Sequence, residues 1–131
     1  MVPEAMSRPG GDAADGERFD VETRQHGGTV VLELSGELDH DTAEPLREAL
    51  ARQVQGGAER IVVDCSRLGF CDSTGLNVLL QARLAAKESG GRIELAGLRP
   101  PVARMFDITG ARAVFRVYDG VSEALADGPR S

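Results

Sequence analysis

The stretch IVVDCSRLGFCDSTGLNVLLQARL, residues 61–84, decides how the rest of this chain reads. Ile61-Val62-Val63-Asp64-Cys65 opens it as a short, β-branched apolar run, the pattern of a buried strand. Leu76, Leu79, Leu80 and Leu84 then recur at helical spacing, and Gly90-Gly91 stops the pattern, so a helix is predicted over about 73–88. Between strand and helix lies Phe70-Cys71-Asp72-Ser73-Thr74-Gly75. A hydroxyl pair, Ser73-Thr74, thus sits at a strand-to-helix turn beside a carboxylate and a glycine. In open α/β sheets the carboxyl ends of strands are where function collects.

Working outward, the same alternation continues on both sides. Phe19-Asp20-Val21-Glu22-Thr23 alternates apolar with polar, as a half-exposed strand does. Gly27-Gly28 supplies a turn, and Val30-Val31-Leu32-Glu33-Leu34 follows, which predicts a hairpin. Asp39-His40-Asp41-Thr42 are turn and N-cap residue types. Ala43, Leu46, Leu50 and Val54 then mark a helix that Gly56-Gly57 ends. Beyond residue 91, Ile93-Glu94-Leu95-Ala96 reads as a strand and Pro100-Pro101 opens a short helix carrying Val102 and Phe106. Val114-Phe115-Arg116-Val117-Tyr118 reads as the last strand, and Val121 to Ala126 as a final helix. The predicted order is β-β-α-β-α-β-α-β-α. It implies a single α/β domain with a mainly parallel sheet, right-handed crossovers, an antiparallel N-terminal edge strand and about four helices.

The chain has 131 residues, the size of one domain able to bury a core without a disulfide or metal staple. Residues 1–17 are rich in Pro, Gly, Ala and acids without an apolar period, so a disordered leader is expected there. The domain is expected to span 18–127, with 128–131 a flexible tail. No apolar run approaches the roughly 18 residues of a membrane-spanning helix, and no basic-then-apolar signal segment opens the chain. A cytoplasmic protein with no membrane insertion is therefore expected. The net charge is −6, with no dense Lys/Arg cluster, one Tyr and no Trp, which argues against nucleic-acid binding. Cys65 and Cys71 are too few for a Cys-rich framework, and His26 and His40 stand far apart. Reduced thiols and no metal or other cofactor are expected.

Three readings compete for Asp72-Ser73-Thr74-Gly75. Asp, Ser and Thr are favoured helix N-caps, so the segment can be a cap and nothing more. A nucleophilic serine would make the chain a small hydrolase, with His40 as base. The nucleophile elbow G-x-S-x-G is only half matched, because Cys71 fills the first glycine position. The third reading is a regulatory phosphorylation site on Ser73. A phospho-accepting receiver domain is rejected: it needs a Lys after the last strand, where Tyr118-Asp119-Gly120 stands, and Lys87 is the only Lys of the chain.

Gly36-Glu37-Leu38-Asp39-His40-Asp41-Thr42-Ala43-Glu44, together with Asp72-Ser73-Thr74-Gly75-Leu76, resembles the STAS-domain family, most of all the bacterial anti-sigma-factor antagonists. Asp64 lies where that family has an Asp after its central strand, and Ile108-Thr109-Gly110 resembles its closing turn. The resemblance covers roughly 18–126. It implies a non-enzymatic binding module whose partner is an anti-sigma factor with an ATP-dependent serine kinase fold. Binding frees a sigma factor, phosphorylation of the motif serine ends the interaction, and a serine phosphatase restores it. Carried over by motif, the phosphoacceptor is Ser73. Thr74 takes the place where many members have a second Ser, and Asn77 replaces a frequent Gly. The implied partner-binding residues are Asp39, Phe70, Asp72, Ser73, Thr74 and Gly75, with Phe70 either an apolar contact or packed under the loop. The same family resemblance also admits an adaptor in a stressosome-like or transporter-associated complex.

Overall fold

Each predicted apolar run becomes an element in the structure, a computed structural model that describes residues 18–127. The expected leader, 1–17, and tail, 128–131, lie outside the described residues. In chain order the elements are β1 (Phe19–His26), β2 (Thr29–Leu38), α1 (Ala43–Gln55), β3 (Arg60–Cys71), α2 (Ser73–Glu88), β4 (Arg92–Ala96), α3 (Pro100–Thr109), a 3-10 turn over Ala111–Ala113, β5 (Val117–Tyr118) and α4 (Val121–Asp127).

The five strands of the described residues pair in the order β1-β2-β3-β4-β5. β1 is antiparallel to β2, and β2 to β5 run parallel. In a parallel sheet built in sequential order, right-handed crossovers place every connecting helix on the same face. The period-2 pleat then sorts each strand's side chains between two cores. Val30, Leu32 and Leu34 of β2, Ile61, Val63 and Cys65 of β3, and Ile93 and Leu95 of β4 join the large core under α1, α2 and α3. Val31, Val62 and Ala96 point the other way, where Ala124 of α4 covers them. That second face holds a buried ion pair. Arg60 donates from Nε to Glu94 Oε1 at 2.7 Å and from Nη2 to the Ala124 carbonyl at 2.7 Å, tying α4 to the sheet.

Four expectations are corrected. β3 does not end near Cys65 but runs to Cys71, so Asp64 lies inside the strand rather than after it. Its second half pairs with β2 alone, since β4 reaches only Asp64. The last strand begins at Val117, not Val114, because Phe115 turns into the core beside Phe106 at a ring separation of 6.2 Å. Leu84 is exposed rather than part of the helix's apolar stripe. The buried face of α2 runs instead through Gly75, Leu76, Val78, Leu79 and Ala86.

Candidate functional site

The long β2–β3 pair projects beyond its neighbours, and its tip is the site. Leu38 pairs with Cys71, and the Asp72 amide donates to the Leu38 carbonyl at 3.0 Å. The loop after β2 and the turn after β3 therefore start side by side, which brings Asp39 to the same rim as Asp72 and Ser73.

Asp72 caps α2. Its backbone is extended, and its Oδ1 accepts from the Gly75 amide at 3.0 Å, satisfying one of the donors that a helix start leaves orphaned. Ser73 is the first helical residue and is exposed, and among the described residues no hydrogen bond engages its hydroxyl. Thr74 is half-buried and Gly75 is buried. The cap reading of the motif thus holds for Asp72 alone and leaves the Ser73 hydroxyl facing solvent. Phe70 is 47% exposed, so the alternative in which it packs under the loop is set aside.

Asp39 serves the neighbouring turn. Its Oδ1 accepts from the amides of Asp41 at 2.9 Å and Thr42 at 3.2 Å, and its Oδ2 accepts from Arg18 Nη2 at 2.5 Å. The Thr42 hydroxyl receives the Asp39 amide at 2.9 Å and donates to the Glu37 carbonyl at 2.8 Å. Thr42 itself makes no side-chain cap to α1. Burial pushes the Asp39 carboxyl up, but the Asp41 amide, the Arg18 guanidinium and the Thr42 hydroxyl and amide outweigh it, leaving the pKa below its ordinary value.

His40, the base of the hydrolase alternative, is exposed and turned to its neighbour, with Nε2 3.4 Å from Asp41 Oδ1. His26 lies at the opposite end of the sheet, where it pairs with Thr29. Both cysteines are free and buried. Burial, then the charge of Asp72, pushes the Cys71 thiol up to about 12, and burial raises Cys65 as well, so both stay protonated and weakly nucleophilic. Among the described residues no group of three or more His, Cys, Asp or Glu converges as a metal site would, and no helix is long and apolar enough to cross a membrane.

Sequence reasoning missed one participant and gave another, Thr42, only a general turn or cap role. Arg18 sits at the junction of the expected leader and domain, and nothing local marks its pairing with a residue 21 positions on. Thr42 was legible in principle: Asp39-x-x-Thr42 has the spacing of a side-chain-closed turn.

Comparison with known proteins adds the following. The family model described as "Mlab, STAS domain" matches residues 21–116. The anti-sigma F factor antagonist of Paenibacillus polymyxa is 33% identical over 108 residues, 82% of this chain and 92% of that one. Among solved structures, an anti-sigma factor antagonist from Mycobacterium paratuberculosis superposes with a TM-score of 0.77 at 27% identity, covering 83% of this chain and 92% of that one. The anti-sigma factor antagonist SpoIIAA matches at 28% identity in two states. Its unphosphorylated form has a TM-score of 0.71, covering 81% of this chain and 93% of that one. Its phosphorylated form has a TM-score of 0.66, covering 83% and 97%.

Proposed function

Since the chain belongs to the STAS-domain family, we propose that it is a cytoplasmic anti-sigma-factor antagonist whose binding rim is switched by phosphorylation of Ser73. The rim of Asp39, Phe70, Asp72, Ser73, Thr74 and Gly75 docks an anti-sigma factor that carries serine kinase activity, and docking frees the sigma factor. The kinase then transfers the γ-phosphoryl group of ATP: a bond forms between Ser73 Oγ and phosphorus, the bond to the ADP oxygen breaks, and the hydroxyl proton leaves. A serine phosphatase reverses the modification with water. The observation that carries this reading is the exposed, unengaged Ser73 hydroxyl at the start of a helix already capped by Asp72.

The energetics separate switch from scaffold. A phosphoserine adds nearly two negative charges. At a helix N-terminus these are favoured by about 0.3–1 kcal/mol, so the helix has no reason to melt. The cost falls on the partner. An acidic partner group about 6 Å away repels each added charge by roughly 3 kcal/mol at an effective dielectric near 20. About 4 kcal/mol is a thousandfold in affinity. The switch therefore needs no change of fold.

The test is an ATP-triggered release. A complex of the wild-type chain with its anti-sigma factor should dissociate when Mg-ATP is added, while a complex of Ser73→Ala persists. Equal release of both would show that another event, not modification of Ser73, ends the interaction.

A further inference from the structure

Three adjacent strands meet at the rim that carries Ser73, and their order places a cation on its acidic loop. Phe19 pairs with Gly36, which brings Arg18 alongside the end of β2, and Leu38 pairs with Cys71, which brings Asp39 alongside Asp72. Arg18 thus lies one strand from Asp39 and two strands from Ser73. Two strand spacings are about 10 Å, and Ser73 also lies three residues beyond Phe70, the β3 residue level with Arg18. The guanidinium already spans part of that offset by reaching Asp39, whose neighbour across the β2–β3 pair is Asp72.

The placement of Arg18 is built into the fold. Gly36 has φ +100°, and a Cβ there would lie 1.9 Å from the Arg18 carbonyl oxygen, so only a glycine lets the chain pass this close. The guanidinium then reaches across to Asp39, 2.5 Å from Nη2 to Oδ2, with Nη1 4.0 Å from Asp41 Oδ2. Among the described residues it is the one guanidinium paired with this loop. The loop it pairs with is acidic: it holds Asp39 and Asp41, Glu37 precedes it at the end of β2, and His40 is turned to Asp41. The pair is half open, with the Arg18 side chain 37% exposed.

We propose that Arg18 is the cation that receives the phosphoserine, pairing with Asp39 in the unmodified protein and shared between Asp39 and the phosphoryl oxygens once Ser73 is modified. The inference rests on the phosphorylation of Ser73 proposed above. Guanidinium offers five donors in a fixed fork, and Asp39 occupies only part of it. Asp39 stays in place when the guanidinium turns, because its other oxygen is held by the Asp41 and Thr42 amides. Arg18 thereby allows a dianion to sit next to Asp39 and Asp72 without opening the turn.

The experiment uses the full chain with phosphoserine installed at position 73 during translation, and follows its second ionisation by 31P NMR. In the wild type that pKa should lie below its value in Arg18→Gln by about half a unit or more, the sense expected of a nearby cation. Arg18→Lys, which keeps the charge, should recover part of the difference. In an Asp39→Asn background the same Arg18→Gln change should have a larger effect, because the guanidinium has lost its competing carboxylate. Identical phosphoserine pKa values with and without Arg18, in both backgrounds, would overturn the proposal. Because the phosphoserine is installed directly, this result is independent of whether a kinase modifies Ser73, which the ATP-release experiment decides.

Discussion

Gly75 and Leu38 touch so closely that a methyl group on the glycine would lie 2.5 Å from Leu38 Cγ and 2.7 Å from its Cδ2. Leu38 is fully buried, so it has little room to give way. The glycine of the motif is thus a packing residue: it lets the first turn of α2 rest on the end of β2, and so sets the distance between Asp72-Ser73 and Asp39. Gly75→Ala should destabilise the domain by about 1–3 kcal/mol, the usual cost of an overpacked site, despite alanine's better helix propensity. Urea denaturation of the two proteins checks it, and an alanine variant as stable as wild type would mean that the helix shifts at no cost.

Asp72 has two separable roles, cap and charge. Asp72→Ala should lose about 0.5–2 kcal/mol, the typical effect of removing an N-cap acceptor. Asp72→Asn keeps an acceptor for the Gly75 amide and should cost much less, while removing one negative charge from the rim. Melting curves of both variants, set beside partner affinity, separate the roles. If Asp72→Asn melts as low as Asp72→Ala, the carboxylate's charge, not its oxygen, holds the helix start.

Asp39 predicts a pH dependence of definite sign. Its folded pKa lies below the ordinary 3.8, so the stability it adds is fully present above the unfolded pKa and is lost as pH falls through the lower folded value. The melting temperature of Asp39→Asn should therefore trail wild type by a constant margin from pH 7 to about pH 5, and the two should converge as the pH drops below about 4. A margin that stays constant down to pH 3 would show that Asp39 contributes through shape rather than charge.

These particulars mark what was legible in the sequence. α1 and α2 announced themselves by apolar spacing and by Gly-Gly stops, and the rim followed from strand order. The second half of β3 did not, because Ser66, Arg67 and Gly69 interrupt its apolar pattern; β2 alone holds it as a strand. Val114 and Phe115 carry a strand-like alternation, but the Phe115 ring has a better place against Phe106, and Arg83 Nε takes the Val114 carbonyl at 2.9 Å. Arg60 opens β3 and Glu94 lies in the middle of β4, and nothing local marks them as a pair; α4, arriving from far along the chain, helps bury them together. Arg18 and Asp39 meet for the same kind of reason. Contacts made by distant segments leave no local period to read.

The central claim is that charge on Ser73, and not a change of fold, breaks the partner interaction. The most direct measurement compares the unmodified chain with the same chain carrying phosphoserine at position 73. Affinity for the anti-sigma factor, far-UV circular dichroism and Tm are read on the same samples. The expected result is an affinity lower by about a thousandfold, as about 4 kcal/mol of repulsion requires, with spectrum and Tm essentially unchanged. Undiminished affinity of the phosphorylated chain, or an affinity lost together with its folded spectrum, would contradict the account.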